Sequence, residues 1–203
     1  MRHVRSRANE KHSGKSTLIL TILNHMDYVG SITIDGVELS TIPRERRQNL
    51  ITVIMQQPAK LPGTLRNNLL PWEISIDEHA VSAHADEELY DLLEQLGLRT
   101  HVEFNGGLDI LAEDMNFSFG QRQLVSIAMA ILHNRSFRTK IVLLDEVTSA
   151  MDSQLDDKVH AIMKTAFEGS TIFVVAHRTD LLYYVDTIAE LERGWLTLSE
   201  PPL

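Results

Sequence analysis

The residues best suited to chemistry begin near the amino terminus, in the segment Ser13-Gly14-Lys15-Ser16-Thr17. A Gly-Lys-Ser that opens a helix can bind phosphate, because backbone N–H groups wrap the anion, the lysine reaches the outer phosphates and the serine hydroxyl binds Mg²⁺. The apolar run at residues 17–23 predicts that helix, whose N-terminal dipole favours the same anion. Such a tripeptide also arises by chance in about one chain in ten of this size, so it needs independent support.

A second candidate lies at the end of an apolar run. Residues 141–144 predict a buried strand, and Asp145 and Glu146 follow it directly. Ligands of open α/β sheets bind at the carboxyl ends of the strands. Asp145 could hold Mg²⁺ through water, and Glu146 could orient or deprotonate an attacking water. The alternative is a strand that simply ends in solvated acids.

Three further polar residues stand at the ends of predicted elements. Ser118 precedes a helix predicted at residues 120–133, so it either helps to bind anionic oxygens or acts as an ordinary N-cap. His177 immediately follows an apolar strand predicted at residues 171–176 and falls at the same sheet edge, where a structural histidine is the alternative. Gln56 ends the strand predicted at 50–55, where a turn-forming polar residue is the alternative.

The elements that must position these residues alternate between strands and helices. A strand and turn are predicted around Asp35-Gly36, and a crossover helix lies between the two central strands. Leu89, Leu92, Leu93 and Leu96 share one face of a helix predicted at residues 85–98. The pattern is that of an α/β protein with a helical insertion at roughly residues 60–135.

Composition limits the classes of function. The 203 residues include 43% apolar residues, enough for one domain with a core. The formal net charge of −9 argues against nucleic acid or anionic lipid as the main partner. The chain has no cysteine, which excludes disulfides and thiolate chemistry. No apolar run approaches the ~18–20 residues that cross a bilayer, and a soluble intracellular domain is expected.

Together these segments resemble the nucleotide-binding domain of ABC transporters, most closely the second such domain of the C-subfamily, related to multidrug-resistance-associated proteins. Residues 30–71 are similar to the stretch around that family's Q-loop. "NFSFGQRQL" (116–124) resembles its signature, with Phe117 where leucine is usual. "IVLLDEVTSAMD" (141–152) resembles Walker B and the D-loop, and "VVAHR" (174–178) resembles the switch segment. The similarity runs from about residue 14 to residue 201.

The resemblance implies a P-loop NTPase core, with a parallel sheet flanked by helices and a helical sub-lobe, in a single domain spanning residues 1–203. It implies ATP and Mg²⁺ as ligands. The implied nucleotide-binding residues are Ser13, Gly14, Lys15, Ser16, Thr17, Gln56, Ser118, Gly120, Gln121 and Asp152. The implied Mg²⁺-binding residues are Ser16, Gln56 and Asp145. The implied catalytic residues are Glu146 as general base and His177 as a γ-phosphate contact.

The resemblance also implies partners. Two such domains would sandwich two ATP molecules head to tail, with Ser118 and Gly120 of one facing the γ-phosphate held by Lys15 of the other. The helical lobe would contact transmembrane domains that this chain does not include, at the cytoplasmic face of a membrane. ATP hydrolysis would then power export, and a glutamate after Asp145 implies the hydrolytic type of site.

The amino-terminal segment departs from the family pattern. Asn9 and His12 stand where the loop usually has glycine. Residues 1–8, "MRHVRSRA", contain three arginines and one valine, which predicts that they do not form a buried central strand. The family's N-terminal antiparallel strands and adenine-stacking aromatic residue are therefore predicted to be missing, at a combined loss of ~2–5 kcal/mol in nucleotide binding.

Two hypotheses follow. In the first, the chain is the ATPase module of an exporter, truncated at its N-terminus or given a misassigned start. In the second, it is a catalytically impaired fragment that acts at most as a protein-binding module for another ABC domain, through residues 118–121 and Asp152.

Overall fold

The computed structural model describes residues 2–5, 14–58, 62–73, 85–148, 151–175, 185–192 and 195–200. The strands in these ranges are β1 (Arg2–Arg5), β2 (Thr33–Ile34), β3 (Val37–Glu38), β4 (Ile51–Ile54), β5 (Ile141–Asp145), β6 (Thr171–Val175), β7 (Thr187–Glu192) and β8 (Trp195–Ser199). The α-helices are α1 (Lys15–Ile22), α2 (Arg44–Leu50), α3 (Leu65–Leu69), α4 (Asp86–Gln95), α5 (Arg99–Phe104), α6 (Phe119–Phe137) and α7 (Ser153–Ala166). Short 3-10 helices occupy Leu39–Thr41 and Pro71–Glu73.

The chain divides into two compact units. The first unit comprises Met1–Gln56, Phe137–Ser149 and Gly169–Leu203, and the second comprises Gln57–Ser136 and Ala150–Glu168. No helix within the described ranges is both long and apolar enough to span a bilayer.

The first unit contains a six-stranded sheet in the order β4-β5-β6-β1-β7-β8. All neighbouring pairs are parallel except β7 and β8, which are antiparallel. The central strand β5 is covered on both faces, since Val142, Leu143 and Leu144 are all buried, and such strands consist of continuous apolar runs. The predicted parallel sheet is therefore confirmed.

One prediction about this sheet is wrong. Residues 2–5 form β1, an interior strand that pairs in parallel with both β6 and β7, with Val4 opposite Val175 on one side and Ala189 on the other. The sequence argument weighed the polarity of the arginine side chains, whereas a ladder is formed by backbone N–H and C=O groups. The antiparallel strand pairs among the described residues are β2–β3 and β7–β8, and both follow α1 in the chain.

The core of the first unit lies between the sheet and α1. It includes the buried residues Ile19 of α1, Leu143 of β5, Val175 of β6 and Ala189 of β7. Partly buried apolar residues of α1, including Leu18 and Ile22, pack against the same cluster. Burial of this apolar surface fixes α1 on the sheet, and so sets the position of the helix N-terminus.

The first unit also contains α2, and the second unit contains α3, α4, α5, α7 and all but the last residue of α6. Leu89, Leu92 and Leu93 of α4 and its C-cap Leu96 are the four leucines predicted to share one helix face. All four are fully buried, as the 3.6-residue periodicity of a helix requires. α3 begins at a Thr64 cap, whose side-chain oxygen accepts a hydrogen bond from the Asn67 N–H at 3.2 Å. Arg66 of α3 pairs with Asp86 of α4 at 2.6 Å and with Asp109 at 2.8 Å.

Candidate functional site

The site begins at the amino end of α1, whose N-cap is Gly14. Gly14 has φ 87° and ψ 7°, a left-handed conformation that glycine adopts without strain. Gly14 has no side chain to cap this end, and within the described part of the chain no acidic residue lies in its first turn, so the first N–H groups of the helix and its dipole are suited to an anion. Lys15 and Ser16 are the first two helical residues, and an exposed Thr17 follows.

Three parallel strands end at one edge of the sheet, which we call the carboxyl edge. Asp145 is the last residue of β5 and only 8% exposed. Glu146 follows it with φ 49°, and the Glu146 N–H donates to the Val175 carbonyl of β6 at 2.9 Å. Gln56 lies two residues beyond the end of β4. Because β1 is parallel to β6, it also ends at this edge. The next described element in the chain is α1.

The side chains of Gln56 and Glu146 meet at the carboxyl edge. The Gln56 Nε2 donates a hydrogen bond to the Glu146 Oε2 at 2.7 Å, joining residues that are 90 positions apart in the chain. Because the amide nitrogen is used in this bond, the Gln56 carbonyl oxygen is the atom that remains to accept a hydrogen bond or bind a cation. The carboxyl edge therefore carries the Glu146 carboxylate, the Gln56 amide oxygen and the buried carboxylate of Asp145.

Two predicted site residues, Ser13 and His177, lie outside the described residues, as do the substituted loop positions Asn9 and His12. The last described residue before His177 is Val175, the end of β6.

The signature-like segment lies in the second unit, where Ser118 opens α6. The Ser118 N–H donates to the Gln121 Oε1 at 2.9 Å, and the Gln121 N–H donates to the Ser118 Oγ at 3.2 Å. This reciprocal pair is a capping box, so Ser118 does cap the helix. The hydroxyl hydrogen of Ser118 is not used in either bond, and the exposed hydroxyl can still donate to a phosphate oxygen.

Gly120, the second residue of α6, has no internal reason to be glycine. A Cβ built on it would meet nothing within 4 Å among the described residues, and its φ is not positive. In contrast, a Cβ on Gly106 would lie 2.7 Å from the Ile110 Cγ1. Glycine at position 120 is therefore required neither by packing nor by backbone conformation within the described structure.

Asp152 also has a structural role. It is the N-cap of α7, and its Oδ1 accepts a hydrogen bond from the Leu155 N–H at 3.0 Å. The side chain is exposed, so its second oxygen can face another molecule.

The sequence analysis missed two residues that hold the candidate segments. His101 of α5 has its Nε2 2.7 Å from the Met115 carbonyl oxygen, and its ring lies 5.0 Å from that of Phe117, beside Ser118. Leu191 of β7 lies against Gly14, since a Cβ on Gly14 would lie 3.3 Å from the Leu191 Cδ2. No local pattern in the sequence points to either contact.

A family profile described as "ABC transporter" matches residues 11–149, more than half of the chain. The chain belongs to the ABC transporter family. By lineage it is an ATP-hydrolysing nucleotide-binding domain, and the resemblance drawn from the motifs is confirmed.

Several curated ABC proteins are similar to the chain. "ABC transporter ecdL" of Aspergillus rugulosus is 33% identical over 182 residues, which are 89% of this chain and 11% of the relative. "ABC transporter C family member 5" of Dictyostelium discoideum is 33% identical over 187 residues, 90% of this chain and 12% of the relative. The chain therefore spans only about an eighth of the length of these relatives.

A solved structure supports the ABC fold. The chain matches one titled "Structure of a bacterial Atm1-family ABC exporter with ATP bound", with a TM-score of 0.80 and 20% identity. The match covers 98% of this chain and 33% of that one.

Proposed function

We propose that the chain is the nucleotide-binding domain of a C-type ABC exporter and that it binds ATP at the carboxyl edge of the first unit. The observation that carries this proposal is the 2.7 Å hydrogen bond between Gln56 and Glu146, beside Asp145. If β5 simply ended in two solvated acids, there would be no reason for the Gln56 amide, which follows the neighbouring strand β4, to bind Glu146. On this reading residues 1–203 are one domain, with its helical sub-lobe at about 60–135.

Phosphate binding is assigned to the amino end of α1. Its N–H groups, with Ser13, Lys15 and Thr17, would hold the phosphates, because this uncapped helix end carries partial positive charge. Lys15 adds a full charge for the outer phosphates. The left-handed Gly14 lets the backbone turn into the helix at this point.

Mg²⁺ binding is assigned to Ser16, Gln56 and Asp145. Among the described residues, no group of three or more histidine, aspartate or glutamate side chains is placed to hold a metal alone. Mg²⁺ instead is commonly held by one or two protein oxygens together with substrate phosphates. Ser16, Gln56 and Asp145 offer a hydroxyl, an amide oxygen and a carboxylate, all hard oxygen donors. When bound, the ion would neutralise charge that develops on the phosphates.

Glu146 would act as the general base. Its carboxylate accepts a hydrogen bond from the Gln56 amide, which orients it to accept a proton from the attacking water. His177 would contact the γ-phosphate, in keeping with its position shortly after β6.

The second half of the site would come from a partner ABC domain in a head-to-tail dimer. Ser118, Gly120, Gln121 and Asp152 of one domain would face ATP held by the other. Two observations support this assignment: the Ser118 hydroxyl hydrogen is not used within the capping box, and Gly120 has open space where a side chain would be. A glycine that its own chain does not need is explained by close approach of a ligand.

We further propose that the domain works at the cytoplasmic face of a membrane, attached to transmembrane domains that couple ATP hydrolysis to export. The names of the relatives, which include multidrug resistance proteins and ABC transporters, support this context.

Titration of the purified chain with a fluorescent ATP analogue and Mg²⁺ tests the proposal. We expect micromolar binding that Lys15→Ala weakens at least about tenfold, while Lys158→Ala, which removes an exposed lysine of α7, leaves it unchanged. Glu146→Gln should retain binding and lower hydrolysis at least ~100-fold, and Glu113→Gln, an exposed control, should not. A chain that binds no ATP would instead support the impaired-fragment hypothesis.

A further inference from the structure

The opposite edge of the sheet carries a concentration of positive charge. α2 ends directly before β4, and a short connection precedes β5. Together these two segments contribute five cationic residues, which we call the basic edge: Arg44, Arg46, Arg47, Arg138 and Lys140. The chain as a whole has a formal net charge of −9, so this patch runs against its overall charge.

The two segments of the basic edge are held side by side. The Lys140 N–H donates to the Leu50 carbonyl, the last residue of α2, at 2.9 Å. Arg47 lies one turn earlier, about 4.5 Å along the helix axis, and Arg138 is two residues from Lys140, at most ~7 Å away. The backbone positions of the five residues therefore fall within a region roughly 15–20 Å across, and one acidic residue, Glu45, lies among them.

Most of this charge is not neutralised. Lys140 pairs with Asp35 at 3.4 Å, but the four arginines of the basic edge form no ion pair with any other described residue. Elsewhere, Arg66 and Arg99 each bind at least two carboxylates. Within the described ranges, the four arginines of the basic edge thus have no carboxylate partner, although the chain has an excess of carboxylates.

We propose that the basic edge is a docking surface for a short acidic peptide segment of a partner protein. Arginine guanidinium groups match carboxylates in a two-pronged geometry, and five or six extended residues span ~16–20 Å, which matches the patch. Nucleic acid or an anionic bilayer would extend past the patch onto the acidic remainder of the surface and be repelled.

This surface lies away from the candidate nucleotide site. Gln56 and Glu146 follow the carboxyl ends of β4 and β5, whereas the basic edge adjoins the amino ends of the same two strands. Four to five residues of strand separate the two edges by about 13–17 Å. A docked peptide therefore leaves the carboxyl edge open, and binding is expected with or without ATP.

The test uses the full chain and a fluorescein-labelled peptide of six consecutive glutamates, followed by fluorescence anisotropy at low ionic strength. We expect saturable binding of the peptide that weakens as salt is added. The double substitution R46E/R138E should weaken this binding at least about tenfold. The matched control K158E/K164E changes net charge by the same amount on exposed positions of α7. We expect this control to change affinity less than about twofold.

Three outcomes would overturn the proposal: no saturable binding, equal losses in the two charge-reversed pairs, or tighter binding of an oligothymidylate or of phosphatidylserine vesicles than of the peptide. If R46E/R138E fails to fold, as judged by circular dichroism, the pair R46Q/R138Q replaces it. That pair should weaken binding about threefold, and unchanged binding would contradict the proposal.

Discussion

Replacing Gly120 by alanine should stabilise the protein while impairing it. The residue is the second of α6, its φ is not left-handed, and a Cβ there would meet nothing within 4 Å among the described residues. In a helix interior alanine is favoured over glycine by ~0.8–1.0 kcal/mol. Because position 120 lies in the first turn, we expect a gain of ~0.5–1 kcal/mol in the free energy of unfolding.

The effect on function should have the opposite sign. If Gly120 faces the γ-phosphate held by a partner domain, an added methyl group occupies space that the phosphate needs. We expect ATP-dependent dimerisation and hydrolysis to fall at least about tenfold, which corresponds to ~1.4 kcal/mol. A variant that gains stability and loses activity would show that the glycine serves a ligand and not the fold.

Urea unfolding and ATPase assays on the same preparation measure both effects. Gly97→Ala is the matched control: its Cβ also meets nothing within 4 Å, but its φ of +74° is left-handed, so it should lose ~1–2 kcal/mol. Loss of more than ~0.5 kcal/mol in Gly120→Ala would mean that the fold needs this glycine. Unchanged hydrolysis in a stable variant would refute the assignment of Gly120 to the interface.

Three other predictions concern the fold that supports the site. Gly14→Ala should lower the free energy of unfolding by ~1–2 kcal/mol, since φ of Gly14 is 87°. Adding Leu191→Ala to that variant should relieve only the 3.3 Å contact between the new Cβ and the Leu191 Cδ2. A double-mutant cycle in denaturant measures both effects. Leu93→Ala should cost ~2–5 kcal/mol in thermal or urea unfolding, because Leu93 is fully buried in α4. The pKa of Glu38 is lowered from 4.5, first by the Ser31 hydroxyl, so its contribution to stability is present above pH 4.5 and is lost as pH falls through the lowered pKa. Glu38→Gln should therefore reduce the loss of stability in acid-unfolding titrations.

Each of these predictions has a control. Leu111→Ala removes a leucine that is 46% exposed and should cost far less than a buried leucine. Glu45→Gln, on the exposed first turn of α2, should leave the acid-unfolding curve unchanged. Full additivity of the Gly14 and Leu191 substitutions would contradict the packing contact between them.

The parts of the fold that could be predicted are those where sequence pattern and burial coincide. The run at residues 141–144 is continuous and apolar because β5 is buried on both faces. The three leucines of α4 and its C-cap Leu96 recur at helical spacing because one face is buried. α2 and β8 lack such a signal: no residue of α2 is buried, and all five residues of β8 are exposed. β1 was wrongly rejected because its side chains are polar while its pairing is made by the backbone.

In the candidate site, the residues at strand ends could be predicted, whereas the contacts of His101 and Leu191 could not. Gln56 and Glu146 are each predicted to follow an apolar strand, and in the structure their side chains are within hydrogen-bonding distance. The contact of His101 with Phe117 could not be foreseen, because it joins α5 to the segment before α6 and the separation of the two residues follows no periodicity. The same holds for Leu191, which reaches Gly14 from a strand 177 positions away in the chain.

Glu146 shows how the backbone itself prepares the carboxyl edge. In a continuing strand successive side chains point to opposite faces, so Glu146 would point away from the face of Asp145. Its φ of 49° ends the strand and redirects the side chain, at a cost of ~1–2 kcal/mol for a residue other than glycine. The bonds to the Val175 carbonyl and the Gln56 amide, at ~0.5–1.5 kcal/mol each, offset that strain. Glycine would remove the strain but also the carboxylate, so stability and the proposed chemistry favour different residues at this position.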